Sequence, residues 1–385
     1  MMQHKITILK QTNYEDSLQL SEYAFQYKVP AEKREKRLEQ LKSQDVYCIF
    51  NDDALAAKLH LLTLEIWLGK SKYPMGGIAG VATYPEYRRK GYVRSLISHS
   101  LVEMKNKGQS LSMLHPFEIQ FYRKFGWEVF AYFDKLHLKK KDLYRLKGTN
   151  GHVKRFTKDT YPSELHKLYE QYAHKHNGML VRTKEWWRER SITDLWIAIY
   201  YDEEQIPQGY LSYEVKNEKL KVEEFIPLNP EARYGLWNYI CQHDSMINEA
   251  ELVLNPNEPL PFLLKDPRVK IERHPYFMSR IVDVEQFFQN YLKDIEFNDC
   301  VHITVKDDFA DWNNRTFSLG RQGIKESKAV ENAVKLNINA LTAMIFGVFT
   351  PQELLDMGQL EGNSEEVVKL EKLTLRSSPL FYDFF

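Results

Sequence analysis

The sequence predicts an α+β protein of three domains. Its 385 residues exceed the size at which a single hydrophobic core stops growing, so two or three domains of roughly 100–150 residues are expected. Strand-like and helix-like segments are mixed through the first third, and their order is roughly repeated in the second. Two breaks in composition divide the chain: the Lys-, Asn- and Gly-rich connection Lys139–Gly151 and a shift near Arg280. The expected domains are therefore 1–145, 146–279 and 280–385.

In the first of these, Met1–Gln11 alternates apolar and polar residues as a strand does, and two helical stretches follow. Strands are expected at Val46–Phe50, Ala56–Trp67 and Gly77–Thr83. Next comes a helix with Val93, Ile97, Leu101 and Met104 on one apolar stripe suited to packing on a sheet. A strand at Leu111–Leu114, a helical turn near Phe121 and a strand from Trp127 complete the domain. The second domain shows helices around Ser163–His174 and Lys184–Glu189, strands at Leu195–Tyr201, Tyr210–Val215 and Val222–Ile226, and a helix near Tyr234–Ile247. After a proline-marked loop around Pro267 and Pro275, the run RIVDVEQFFQNY reads as a strand entering an amphipathic helix. Short strands, a turn at Asn313–Asn314, a strand at Ala333–Ile338, a helix at Ser364–Lys372 and an aromatic tail, Leu380–Phe385, follow.

Lys plus Arg and Asp plus Glu each total 53, which leaves no global positive field to hold nucleic acid or an anionic membrane. Any anion site must be local. Cys48, Cys241 and Cys300 are odd in number and far apart, which argues against a disulfide framework or a zinc site and for a reducing compartment. The start lacks the apolar core and small-residue cleavage site of an export signal. The most apolar stretch, Ala340–Phe349, is about half the roughly 20 residues a membrane helix needs. A cytoplasmic protein is expected.

The most informative local sequence is GGIAGVATYPEYRRKGYVR, in which an apolar strand bends through a proline into Arg88-Arg89-Lys90-Gly91 and then a helix. Exposed backbone N–H groups at a helix start carry partial positive charge, glycine permits close approach, and arginine adds charge-assisted bonds to phosphate oxygens. A pyrophosphate would sit well there. The phosphate-binding pattern GxxxxGK[ST] and the dinucleotide pattern GxGxxG are both absent. The loop resembles the acetyl-coenzyme A motif of GNAT acetyltransferases, with Arg88 and Gly91 in register and Val93 where Gly or Ala is usual.

The resemblance is closest to the Eis-like branch of that family and extends along nearly the whole chain. It is carried by RRKGYVR, FYRKFGW, MSRIVDVEQFF, DWNNRTFSL and FTPQELLDMGQLEG with the DFF ending. It implies tandem GNAT-type α/β domains, the first active and the second degenerate, followed by a domain similar to sterol carrier proteins. It also implies acetyl-CoA as cosubstrate, no metal, a small-molecule amine as acceptor, and a homo-oligomer, a hexamer in this family. On this likeness Val81, Ala82 and Thr83 offer backbone groups to the pantetheine arm and thioester, while Arg88, Arg89, Lys90, Gly91, Tyr92, Val93 and Arg94 cradle the pyrophosphate. In the second domain, Asn229–Gly235 lacks the Arg-x-x-Gly spacing, consistent with lost cofactor binding.

Acetyl transfer to an amine needs one group to take the amine proton and another to protonate the departing thiolate. Tyr122 in FYRKFGW is the expected acid: a phenol of pKa about 10 donates only mildly uphill to a thiolate of pKa near 8.5. The tail Phe381-Tyr382-Asp383-Phe384-Phe385 is too aromatic to remain in water, so docking is expected to fix its end. A terminal carboxylate of pKa about 3.5 is ionised at neutral pH, and the Eis-like resemblance makes that of Phe385 the base. Phe25 and Glu118 are candidate substrate contacts, because a cleft for amines uses aromatic faces and acidic groups. Aminoglycosides or other polyamines are the implied acceptors. Protein lysines are the alternative, and lipid binding by the third domain is an alternative of another class.

Overall fold

The computed structural model describes residues 4–374 and 377–385, so the first three residues of the expected N-terminal strand lie outside the described part. In chain order the strands of the first two thirds are β1 (Thr7–Ile8), β2 (Asp45–Asn51), β3 (Ala54–Leu68), β4 (Ser71–Thr83), β5 (Leu111–Leu114), β6 (Glu128–Lys139) and β7 (His152–Phe156). They continue with β8 (His176–Asn177), β9 (Trp196–Tyr201), β10 (Pro207–Lys216), β11 (Lys219–Pro227), β12 (Glu249–Leu254) and β13 (Lys270–Ile281). All but β8 form one twelve-stranded sheet in the order β1-β2-β3-β4-β5-β13-β6-β12-β11-β10-β9-β7.

That order is a palindrome of two six-stranded halves, and its centre is an exchange. The second unit's β13 enters between β5 and β6, pairing Ile281–Met278 with Leu111–Leu114. In return, the first unit's β6 runs on beside β12, from Leu254 opposite Asp134 to Glu249 opposite Lys139. The two strands pair with each other antiparallel from Lys270 opposite His137 to Ser279 opposite Glu128. Neither half completes its sheet without a strand from the other, and separating them would bare hydrogen-bonding edges. Pro275 is a correction to the sequence reading: it lies inside β13 and not in a loop. The register with β6 shifts between Pro275 and Phe277, and a bulge is where a strand tolerates a residue with no N–H to donate.

Helices cover the sheet where their stripes are apolar. The helix Tyr92–Asn106 buries Leu96, Ile97, Leu101 and Met104, which pack with Leu59, Leu61 and Ile78 of β3 and β4. The helix Pro230–Cys241 takes the same place in the second half, burying Leu236, Trp237 and Ile240. The third unit adds the strands β14 (Cys300–Lys306), β15 (Thr316–Gly320), β16 (Gly323–Ser327), β17 (Val334–Asn337) and β18 (Leu360–Glu361) in the order β16-β15-β14-β17-β18. Its helix Val284–Asp294 presses Phe287, Phe288 and Tyr291 into the same core as Met75, Met113 and Phe277 of the large sheet. The apolar stretch around Ala340 forms the helix Ile338–Phe346, started by Asn337 accepting from the Ala340 N–H (2.8 Å) and ended at Gly347. Among the described residues no helix is long and apolar enough to cross a membrane.

One polar node ties the three units together beneath the FYRKFGW motif. Arg280 of β13 is fully buried, and it donates to the Phe125 carbonyl and to the Asp307 carboxylate of the third unit. Its guanidinium lies 5.3 Å from the Trp127 ring centroid. This arrangement explains the motif's glycine: Gly126 has φ 89°, and a Cβ there would lie 2.2 Å from Arg280 Nη1. Gly126→Ala is expected to destabilise the chain by about 2 kcal/mol, the sum of a left-handed backbone penalty and displacement of a buried cation, read as a lowered calorimetric transition.

Candidate functional site

The site begins where two parallel strands part. β4 pairs with β5 only from Met75–Ile78 to Leu111–Leu114, then continues to Thr83 beside β3 alone, so beyond Ile78 one edge of β4 faces a gap. Within that stretch the register against β3 slips, with His60 opposite Ala79 but Lys58 opposite Ala82, so that Gly80 and Val81 bulge against a single residue. Gly80 has φ 56°, and a Cβ there would meet the buried His60 ring at 2.8 Å. His60 is held by Gln44 Oε1 at Nδ1 (2.8 Å), and burial lowers its pKa well below the ordinary value, so a neutral ring backs the bulge.

A cavity of about 670 Å³ opens from this gap onto the helix Tyr92–Asn106. It gathers Val81, Ala82 and Thr83 from β4, Arg88, Arg89, Gly91, Tyr92, Val93 and Arg94 from the loop and helix start, and Phe25 from the helix Tyr14–Ala24 and its cap. Phe117, Phe121 and Phe125 close the apolar side; sequence reasoning did not single them out, although their spacing around Tyr122 carries the signal. Gly91 caps the helix, and the first bond inside it runs from the Ser95 N–H to the Gly91 carbonyl (3.0 Å). The N–H groups of Tyr92, Val93 and Arg94 precede that bond and carry the positive end of the helix. Lys90 alone of the loop does not line the cavity: its carbonyl meets the His4 ring (3.0 Å) and its ammonium lies 5.1 Å from the Tyr87 ring. Arg94 stacks at 5.0 Å on Phe309 of the third unit. Phosphates along the helix start and an apolar arm along the β4 edge match this lining, so a coenzyme A molecule fits the residues present.

Tyr122 sits on the short helix Ile119–Arg123, packed edgewise on Phe117 and Phe121 at 5.6 and 5.2 Å. It is only 3% exposed, and burial raises its pKa well above that of a free phenol, so it stays protonated. Glu118 caps that helix, accepting from the Gln120 N–H (3.2 Å), and it stands outside the cavity.

The tail comes to the gap from the other side of the sheet. β19 (Ser378–Pro379) pairs with β8, and the Leu380 N–H bonds to the Asn177 carbonyl (3.0 Å). Strand alternation then separates two faces of β4: a Cβ on Gly76 would strike Met104 of the helix Tyr92–Asn106, whereas one on Gly77 would meet the Phe385 ring at 2.9 Å. Phe385 thus lies one residue before β4 and β5 part, on the face opposite the cavity's helix. Next to it Phe384 touches the ring of His115, the first residue after β5, at 5.1 Å. Desolvation lowers the pKa of His115, leaving a neutral ring able to accept a proton. Sequence reasoning passed over His115, which lacks any motif of its own.

The corresponding helix start of the second half is built differently. Asn229 caps the helix by accepting from the Ala232 N–H (2.8 Å), Pro230 removes one N–H, and Asp202, Glu203, Glu204 and Glu231 line the hollow beside it.

Comparison with known proteins agrees with this geometry. Residues 5–130 match one family described as acetyltransferase (GNAT) domain, residues 178–281 match another of the same description, and residues 284–382 match the sterol carrier protein domain. An uncharacterized N-acetyltransferase of Streptomyces griseus is 22% identical over 337 residues, spanning 76% of this chain and 77% of its own. The N-acetyltransferase Eis of Mycobacterium tuberculosis is 26% identical over 215 residues, 52% of this chain and 53% of its own. Among solved structures, a probable N-acyltransferase from Enterococcus faecalis V583 shares the fold with a TM-score of 0.91 at 24% identity over 99% of both chains. Eis1 from Mycobacterium abscessus does so with 0.79 at 19% identity, over 99% of this chain and all of that one. Two GNAT acetyltransferase domains on one exchanged sheet, a sterol carrier protein domain behind them and a strand gap that meets a capping arginine loop make this chain a GNAT-type acyltransferase with the architecture seen in the Eis-like proteins.

Proposed function

We propose that the chain transfers an acetyl group from acetyl-CoA directly to the amine of a small polyamine-like or aminoglycoside acceptor at the gap between β4 and β5. The observation that carries this reading is the pair Gly76 and Gly77: one strand turns one face to the helix of the arginine loop and the other to Phe385. Donor and acceptor can then approach a single gap from opposite sides.

Bound acetyl-CoA supplies an activated acyl thioester. In this reading Arg88, Arg89, Arg94 and the helix-start N–H groups hold phosphate, and Lys90 acts from outside the cavity through its charge. The backbone from Val81 to Thr83, turned by the Gly80 bulge, offers N–H groups to the acyl oxygen, where a fixed donor stabilises developing charge. Tyr122 does not itself line the cavity; from behind the wall formed by Phe117 and Phe121 it gives its proton to the departing sulfur. On the opposite face the carboxylate of a chain ending at Phe385 accepts the amine proton, and the neutral His115 ring, packed on Phe384, is a second acceptor. Phe25 provides an aromatic wall for a cationic acceptor, and Glu118 provides negative charge at the rim. The capped, proline-started and acidic helix end of the second half supports a unit without cofactor. A hexamer is proposed on the family likeness alone.

Thiol release from acetyl-CoA, measured against a panel of polyamines, aminoglycosides and lysine peptides, tests the reading. Amine-dependent release supports it, and absence of release with every amine sinks it. Arg89→Ala is expected to raise the KM for acetyl-CoA about tenfold with kcat nearly retained. Tyr122→Phe should lower kcat by roughly a hundredfold with coenzyme A affinity kept. Because burial raises the Tyr122 pKa, the alkaline fall in kcat assigned to its deprotonation lies above pH ~10 and disappears in the Phe variant. One residue added after Phe385 should cripple turnover without loss of acetyl-CoA binding.

A further inference from the structure

The second half of the sheet contains its own strand gap, and the chain's own tail docks against it, leaving a cavity of about 510 Å³ between Glu224, Val253 and residues 381–384. β11 pairs parallel with β12 from Lys219–Val222 to Glu249–Leu252, then runs on to Pro227 beside β10 alone, as β4 does beside β3. Here too the register slips, because Ser212 faces Glu224 while Tyr213 faces Val222. Counting two residues past the last parallel pair reaches Gly80 in β4 and Glu224 in β11, so a carboxylate stands where the first gap has its bulged glycine.

That carboxylate accepts from the Tyr210 hydroxyl (2.5 Å) and pairs with Arg182, whose side chain is 1% exposed. The same guanidinium donates through Nε to both oxygens of Asp383, at 2.9 and 3.0 Å, and rests in the corner formed by the perpendicular rings of Tyr169 (4.0 Å) and Trp187 (4.6 Å). Asp383, 3% exposed, also accepts from the Trp186 indole (2.7 Å) and from the Tyr169 hydroxyl (3.3 Å), while its carbonyl accepts from Tyr276 of β13 (3.0 Å). Leu380 enters the core of the second half beside Tyr172 and Ile226.

From these contacts we infer that the second half's strand gap is a receptor for residues 380–385, and that Arg182, seated by Glu224, is the positioning residue that sets Phe385 at the first gap. Its consequence for catalysis rests on the reading of Phe385 as base. The buried ion pair of Asp383 with Arg182, two residues upstream of the end, fixes the backbone, and the aromatic rings at 384 and 385 then settle against His115 and Gly77. A displacement of about 1 Å at a reacting group is enough to lose up to a hundredfold in rate.

The test compares the full chain with Asp383→Asn, with the milder Trp186→Phe, and with one residue added after Phe385. For each, release of the C-terminal residue by a carboxypeptidase, kcat, KM for acetyl-CoA and thermal unfolding are measured. In both substituted variants we expect release of Phe385 to speed up about tenfold or more and kcat to fall roughly tenfold to a hundredfold. The KM for acetyl-CoA stays within about twofold of the parent; the unfolding transition stays in place in Trp186→Phe and falls in Asp383→Asn, which takes a carboxylate from buried Arg182. Parent-like release in both variants overturns the receptor, and a freed tail with unchanged kcat overturns the positioning role. If the added residue leaves turnover intact while Asp383→Asn still frees the tail, the receptor stands and the assignment of the base is what fails.

Discussion

The antiparallel pairing of β6 with β13 is the constraint from which the rest of the molecule follows. Glu128–His137 and Lys270–Ser279 lie side by side, and each strand then serves as an inner strand of the other unit's half-sheet. This pairing puts β13 against β5, which fixes where β5 can leave β4 and therefore where the gap opens. It also carries Arg280 under Gly126 and Tyr276 and Phe277 under the tail. A fully buried arginine without its carboxylate is costly, so the node with Asp307 holds the short helix of Tyr122 in register with the third unit.

The two halves share a plan and differ in charge. In the first, the helix start is crowned by arginines and opens to a cavity; in the second, a side-chain cap, a proline and four carboxylates occupy the same place. The gaps differ in the same manner, glycine in one and Glu224 with Arg182 in the other. Sheet geometry was retained in both, because it is set by backbone pairing and packing that do not care which ligand is served.

Much of this was legible in the chain because the signals are local. The loop Arg88–Arg94 joins a strand to a helix within a few residues, and its glycine, arginines and apolar stripe each speak for themselves. The strand Leu111–Leu114 was placed to the residue. The motif around Tyr122 likewise needs only neighbours. What sequence reading missed depends on distant partners. β12 gave no usable pattern and β13 only its end at Arg280-Ile281: Pro275 sits in a bulge that only β6 defines, and the short β12 is framed by strands more than a hundred residues earlier and about thirty residues earlier. The Gly80 bulge needs β3 to be seen, and Asp383 looks like any acidic residue in an aromatic tail until Arg182 is folded beside it. Lys90 and Glu118 show the converse: the right residue types in the right stretch, turned to a carbonyl contact and a helix cap instead of the cavity.

The strand exchange also dictates the order in which the protein can mature on the ribosome. The amino-terminal unit has its own loop, helix and Tyr122 by Lys139, yet β5 and β6 keep open edges until Ile281 has emerged. During that interval an intact α/β half with a missing central strand waits beside a growing chain, and contacts of such long sequence separation form slowly. A fragment that stops short of Ile281 therefore lacks the strand that pairs with β5 and β6, and its half-sheet stays incomplete until the second unit arrives.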